Sequence, residues 1–215
     1  MNYIFQRHVL LLLAALLAFG ACDEDSGNNS GAGGYRLLDE GPAGGLIFYI
    51  NPNPVTWKYL EAAPASSESS GIIWGKHETF LGGTGSDIGT GAGNTALIVN
   101  LMNTEPAVTN TAAQVCNSLS INGYDDWFLP SLNELEEMCW VFEGKRWDPL
   151  TETTVYNPDF VESVGSFNTV GAYWSSTEVD AFCTRYVQFE NGYMGWDGAK
   201  DSLSAGGYVR AIRAF

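Results

Sequence analysis

Asn122 to Leu135 reads Asn-Gly-Tyr-Asp-Asp-Trp-Phe-Leu-Pro-Ser-Leu-Asn-Glu-Leu, and it sets a turn, a short extended piece and a helix start in immediate succession. Asn122-Gly123 is a turn pair that tolerates positive φ, and Trp127-Phe128-Leu129 is an apolar, strand-prone run. Pro130 ends the extended piece. Ser131 with Glu134 three residues on forms a capping box, in which each residue's side chain accepts a backbone N–H from the other. A helix therefore begins at Leu132. Leu132, Leu135, Met138, Cys139 and Phe142 follow at helical spacing, so this helix carries one apolar face that the rest of the chain has to bury.

The amino terminus stands apart from that task. Arg7 and His8 precede an apolar run from Val9 to Phe19 and the small residues Gly20-Ala21, the pattern of a secretory signal and too short to span a bilayer. Cys22 directly after two small residues looks like a bacterial lipobox, in which that thiol is lipidated and becomes the new amino terminus; ordinary secretion with Cys22 as a spare thiol is the alternative. Asp23 to Gly34 is polar and Gly-rich and reads as a tether of roughly 20 Å reach. Residues 35–215 are then expected to form a single domain, large enough to bury a core. The expected location is the cell envelope, lipid-anchored at the outer membrane or cell surface.

Loss of the signal removes Arg7 and no acid, so 25 acidic residues face 9 basic ones in the mature chain. That field disfavours nucleic acid, anionic lipid and sulfated glycan as partners. With Cys22 acylated, Cys116, Cys139 and Cys183 remain, enough for one disulfide at most. Cys116 and Cys139 fall on apolar helical positions, where cysteine acts as a small buried hydrophobe, so mostly reduced thiols are expected.

Along the chain, Tyr35–Leu38 and Leu46–Ile50 read as strands joined by Glu40-Gly-Pro-Ala-Gly-Gly45, with residues 57–63 as a third. The Gly-rich stretch 82–95 lacks the spacing of either nucleotide-binding glycine motif, and it reads as a packed loop ending in an Asn94-Thr95 helix cap. A short helix follows over 96–102. Thr111 and Gln114 make a second capping box before a helix of about nine residues. From Glu143 to Phe167 no periodicity is evident, the mark of a long irregular loop. Strands close the chain over 172–176, 182–190, 193–196 and 207–215. The fold class is α+β. Arg210 and Arg213 lie an odd number of positions apart in the last strand, so one of them points inward and needs a carboxylate, from Asp125, Asp126 or Glu134.

Gly41-Pro-Ala-Gly-Gly-Leu-Ile-Phe-Tyr49, the 83–95 glycine stretch, Asn122 to Ser131, Tyr173-Trp-Ser-Ser176 and Val209-Arg-Ala-Ile-Arg-Ala-Phe215 occur together and in this order. They resemble a bacterial domain-of-unknown-function family that also forms the carboxy-terminal domain of a collagen-like adhesin. The resemblance runs from about Glu40 to Phe215. It implies a C-type-lectin-like fold, with two main helices, a sheet joining both termini and a long loop region. In the adhesin the domain is linked to sulfated glycans, whereas this chain is acidic and has no collagen-like repeat.

Lectin-type calcium sites need several carboxylate and carbonyl oxygens at once. Glu105-Pro106-Ala107 precedes the second helix and Trp196-Asp197-Gly198 supplies one acid, so no metal is assigned, and His77 alone offers no zinc site. The same fold serves enzymes that oxidise a protein cysteine to formylglycine, but no reactive cysteine pair or catalytic triad can be built here, and no cofactor is expected. The candidate ligand-binding residues are Trp147, Tyr156, Glu190, Asn191, Tyr193, Trp196 and Asp197, aromatic and polar groups within loops 143–170 and 190–205. Trp127, Trp140 and Trp174 belong to the core. The expected function is a non-catalytic, lipid-anchored binding or adhesion module for a glycan or protein. The alternatives are a structural envelope lipoprotein partnering another membrane protein and, behind it, a relative of the formylglycine-generating enzymes.

Overall fold

Helix α3, Leu132–Glu143, starts where its capping box requires. Ser131 N donates to Glu134 Oε2 at 2.7 Å, and Glu134 N donates back to Ser131 Oγ at 3.3 Å. Leu135, Met138, Cys139 and Phe142 are all fully buried, each side chain contributing about 1.5–3 kcal/mol of transfer free energy. Gly144, at φ 66°, ends the helix in the left-handed conformation that glycine takes without strain.

The computed structural model describes residues 34–105, 108–202 and 207–215. Residues 35–215 form one compact unit. The signal segment, Cys22 and the tether up to residue 33 lie outside the described residues, as do Pro106-Ala107 and positions 203–205 of the proposed 190–205 loop. Among the described residues the architecture is α+β, with three helices and three small antiparallel sheets. Strands β1 (Leu46–Ile50), β2 (Tyr59–Ala62) and β8 (Ile212–Ala214) form the first sheet in the order β1-β2-β8, which joins the two ends of the unit. Helices α1 (Gly91–Met102), α2 (Ala112–Asn117) and α3 lie between them in sequence. A hairpin of β3 (Lys145–Asp148) and β4 (Thr153–Tyr156) follows, then the sheet β5 (Ala172–Glu178), β6 (Cys183–Gln188) and β7 (Tyr193–Ala199).

Several expectations need correction. Residues 35–38 are not a strand; Leu38 sits at φ 71° in a turn, a conformation that interrupts extended pairing. Helix α1 begins at Gly91, before the expected Asn94-Thr95 cap. Asn94 lies inside the helix, where its side chain accepts from Gly85 N at 2.9 Å and donates to Gly85 O at 2.7 Å, folding the glycine loop back on the helix. Helix α2 is six residues long, because Ser118 closes it. Trp127 to Leu129 form no full strand, only one bridge between Phe128 and Ile212. The stretch after α3 is not irregular throughout, since it holds the β3–β4 hairpin. Strict alternation along residues 183–189 would put Cys183, Arg185, Val187 and Phe189 on one face, but pairing with β7 shifts between Thr184 and Tyr186, so Thr184 and Tyr186 are buried along with Val187 and Phe189 while Cys183 and Arg185 are only partly buried.

Both Arg210 and Arg213 are buried, rather than one of them. Arg213 Nε and Nη2 donate to Asp126 at 2.7 and 3.0 Å, as one expected pairing has it, and Nη1 also faces Glu61 at 3.3 Å. Arg210 pairs with Glu68, not with Asp125 or Glu134. Trp127 and Trp174 are core residues, but Trp140 is half-buried with the Arg146 guanidinium 4.8 Å over its ring. Trp74, to which the sequence pattern gives no role, is also a core residue. Its Nε1 donates to Ser175 O while Trp174 Nε1 donates to Ile72 O, both at 2.7 Å, so each ring is satisfied beside the other's strand or loop.

Besides α1, the glycine loop over 82–90 is stitched to two further elements, β5 and α3. Glu178 accepts from Leu81 N and Gly82 N at 3.0 and 2.7 Å and faces the fully buried Lys200 at 2.5 Å. Glu134 accepts from Gly89 N at 2.8 Å. This explains two glycines differently. A Cβ on Gly91 would press on the Glu134 carboxylate, on the Phe128 ring at 2.9 Å and on Leu129 O at 3.0 Å, whereas Gly93 meets nothing within 4 Å. Urea unfolding is expected to find G91A destabilised by about 1–3 kcal/mol through overpacking. G93A is expected to gain about 0.5–1 kcal/mol from helix propensity.

Burial lifts the Glu134 carboxyl above the ordinary value of 4.5, because lost hydration outweighs the N–H groups of Ser131 and Gly89; Glu136 and Glu143 shift the same way. Such groups bind a proton more tightly when folded, so their stabilisation is complete below 4.5 and is lost as pH rises through the raised values. Asp148 and Asp180 shift down from 3.8, chiefly through the backbone N–H groups of Leu150 and Phe182, and their contribution is lost as pH falls. The melting temperature is therefore expected to be higher at about pH 5 than at about pH 8, and to fall again in strong acid. A flat or rising profile from pH 5 to 8 would contradict this.

Candidate ligand-binding site

The β3–β4 hairpin is held to α3 through its second residue. Arg146 faces Glu136 at 3.0 Å and Glu137 at 2.6 Å while stacking on Trp140. At the hairpin tip Asp148 accepts from Leu150 N at 2.8 Å and from Thr151 Oγ1 at 2.9 Å, which closes the turn. By strand alternation Lys145, Trp147, Thr154 and Tyr156 share the other face, with Trp147 opposite Thr154 and Lys145 opposite Tyr156.

That face meets the turn between β6 and β7. Thr154 Oγ1 donates to Asn191 O at 2.9 Å, and the Trp147 and Tyr193 rings meet edge to face with centroids 5.2 Å apart. Asn191 Oδ1 accepts from Tyr193 N at 2.9 Å, so this side chain shapes the turn. The rings continue inward from Tyr193 to Tyr186 at 6.4 Å and to Trp174 at 6.2 Å. Room for Tyr186 comes from glycine, since a Cβ on Gly198 would lie 2.9 Å from its ring and one on Gly195 would overlap it. Tyr186 OH donates to Asp197 Oδ1 at 3.0 Å, and burial together with that carboxylate pushes the phenol well above its ordinary value.

Gly195 and Gly198 of β7 span three steps against two between Tyr186 and Thr184, so a β-bulge falls at Trp196 and Asp197. A bulge re-aims the side chains it carries. Both residues are exposed, and Trp196 is 62% accessible.

The structure thus brings Trp147, Tyr193 and Asn191 into one assembly, with Trp196 and Asp197 farther along β7. Tyr156 is exposed at the far end of the hairpin, and Glu190 is exposed in the β6–β7 turn. Tyr186, buried and joined to both Tyr193 and Asp197, is a member that strand pattern alone did not reveal. The pairing Tyr186↔Gly195 within the β6–β7 hairpin is the signal that could have found it. Chemically this surface offers aromatic ring area beside carboxylate and carbonyl acceptors.

The thiols are arranged differently. Cys116 and Cys139 are buried and free; burial pushes the first thiol far up and the second to about 12. Cys183 is also free and shifts up through burial, with the carboxylates of Asp180 and Asp197 adding to it. Each environment favours the neutral thiol over the nucleophilic thiolate. His77 lies against Phe182 with centroids 5.1 Å apart. Among the described residues no group of three or more His, Cys, Asp or Glu side chains is placed to hold a metal ion, and no helix is long and apolar enough to cross a membrane.

Residues 65–213, more than half of the chain, match the family model described as Lcl C-terminal domain. The chain belongs to this family. The Lcl C-terminal domain match takes in all three helices, the β3–β4 hairpin and the whole β5-β6-β7 sheet, so the aromatic assembly lies within it. The Gly41 to Tyr49 phrase and β2 lie upstream of the matched residues, yet β1 pairs with β2 and β2 pairs with β8, whose Ile212 and Arg213 fall within the match. No curated protein matches the chain.

Docking of the hairpin depends on Gly192, at φ 74°, where a Cβ would sit 2.8 Å from the Arg146 Cα. G192A adds a left-handed cost of about 1–2 kcal/mol to that backbone clash. The expected outcome is separation of Trp147 from Tyr193, seen as loss of their NMR cross-peaks and faster amide exchange over residues 145–156. Native exchange there in G192A would mean that the turn does not hold the hairpin.

Proposed function

We propose that this Lcl C-terminal domain protein is a non-catalytic binding module, tethered outside the cytoplasm, that recognises a carbohydrate through Trp147, Tyr193 and Trp196. The observation that carries the reading is the edge-to-face contact of Trp147 with Tyr193 at the junction of two hairpins, together with the exposure of Trp196 at the β7 bulge. Sugar rings present C–H faces that stack on aromatic rings, while their hydroxyls donate to acceptors such as Asp197 and Glu190. Thiols held neutral by burial support a binding role over cysteine-based catalysis. A sheet that joins both ends of the unit, beside two twelve-residue helices, agrees with a C-type-lectin-like arrangement.

The net charge of −15 argues for a neutral or cationic glycan rather than a sulfated one. The anchor is proposed to be a lipid on Cys22, placing the domain at the cell envelope. Metabolic labelling with a fatty-acid probe would then mark the chain and fail to mark C22S.

Binding of the full chain, solubilised in mild detergent, to a broad glycan array with and without calcium tests the recognition itself. The expected result is binding to defined uncharged sugars that persists at physiological salt. W147A and W196A are each expected to weaken it about tenfold or more, near the ~2 kcal/mol carried by a hot-spot aromatic. Binding to no sugar, with crosslinking to one stable protein in intact cells, would replace the carbohydrate reading with that of an envelope lipoprotein serving a protein partner.

A further inference from the structure

A cavity of about 230 Å³ shares no lining residue with the aromatic assembly. Its walls include Leu46, Ala63, Phe142 and Phe167, with exposed Ala65 and Ser166 on its lining. One charged side chain, Arg210, also lines it and is 2% exposed. The guanidinium lies 4.3 Å from the Phe167 ring centroid. Its Nη1 donates to Ala63 O and Gly165 O at 3.2 and 3.1 Å, and Nη2 donates to Glu68 Oε2 at 2.6 Å. Nε is the one nitrogen of this side chain without an acceptor.

A buried N–H facing no acceptor is uncommon, because its desolvation goes uncompensated. Here it belongs to a side chain on the wall of a space with room for several waters, at about 30 Å³ each, and smaller than a pocket for a drug-sized ligand. Glu68 already balances the guanidinium charge, and Glu68 also accepts from Tyr173 OH at 2.6 Å. The unmet requirement is therefore one hydrogen-bond acceptor, not a further negative charge. The remaining lining is mostly alkyl and aromatic.

We propose that this cavity binds a neutral acyl-amide group such as an N-acetyl group, whose carbonyl oxygen accepts from Arg210 Nε while its methyl packs on Ala63, Phe142 and Phe167. The site is separate from the proposed carbohydrate surface, and either can fail without the other.

The test follows the Arg210 Nε–H cross-peak of the ¹⁵N-labelled full chain in mild detergent. The probes are acetamide, N-acetylglucosamine, glucose and propionate. Acetamide and N-acetylglucosamine are expected to shift that peak saturably, and glucose is expected to leave it in place. Ala65 lies on the exposed 3-10 turn Ala65–Ser67, so A65W is expected to cover the mouth without disturbing the core and to weaken acetamide binding at least tenfold. Ala65→Leu, a smaller cover, is expected to give an intermediate loss. Saturable binding by propionate alone would show that a charge is required and overturn the neutral-ligand assignment. No saturable shift with any probe, an equal shift with glucose, or unchanged acetamide binding in both Ala65 variants would overturn the site.

Discussion

Glu61 and Arg213 form the interaction on which the rest of the fold depends. Glu61 is fully buried in the middle strand of the terminal sheet and accepts from Ala43 N and Gly45 N at 3.0 and 2.8 Å. Arg213 sits opposite it on β8 and reaches Asp126 in the stretch that leads to α3. The Tyr124 and Phe215 rings lie 4.0 and 4.9 Å from its guanidinium. The first turn, the middle strand, the last strand and the approach to α3 thus converge on one ion pair. Removing one partner of a buried pair costs about 3–5 kcal/mol, a large share of the roughly 5–15 kcal/mol that a domain has in total. The glycines of the first turn follow from this. A Cβ on Gly41 would lie within 2.8 Å of the Glu61 carboxylate, and one on Gly45 would strike Ala62 O.

From that centre outward, the loops divide by how many elements hold them. The 82–90 loop is fixed by Glu178, Glu134 and Asn94, which belong to a strand and two helices, so it behaves as part of the core despite its glycine content. The β3–β4 hairpin is held at two places, by Arg146 on α3 and by Thr154 on the β6–β7 turn. Arg146 is itself about one-third exposed, and pairs of that kind are worth about 1 kcal/mol or less. A surface that must accommodate a ligand gains from being the less constrained of the two. The proposed aromatic site lies there.

The features legible in the sequence were those encoded within a few residues. Both capping boxes, Ser131 with Glu134 and Thr111 with Gln114, are local patterns, and the apolar face of α3 is a local periodicity. The Asn122-Gly123 turn, with φ of 52° and 86°, is equally local. What the pattern missed is set by distant partners. Lys145 to Asp148 shows no apolar alternation because its alternate side chains face Glu136 and Glu137 on one side and Tyr193 on the other. Trp140 reads as core because it lies within the helix phrase, yet Arg146 covers it from a neighbouring strand. Arg210 finds Glu68, a residue in an unremarkable polar stretch. The Trp147–Tyr193 contact could not be read at all, although both residues were singled out, because it arises from the meeting of two hairpins.

The acidic composition also acquires a structural meaning. Lys76, Arg146, Lys200, Arg210 and Arg213 each face a carboxylate within the fold, so much of the cationic charge is spent internally. Glu61, Glu134 and Glu178 are sequestered as backbone acceptors, but many other acids remain at the surface. Long-range attraction of an anion is therefore absent from the exposed aromatic surface, where Glu190 and Asp197 add negative charge of their own. The proposed recognition there would rest on short-range ring contact and hydroxyl donors on the ligand, contacts that salt screens weakly, whereas an ammonium on the ligand would add a salt-screened attraction. The Lcl C-terminal domain match takes in the proposed aromatic surface, while the acidity of this particular chain opposes the approach of anionic ligands to it.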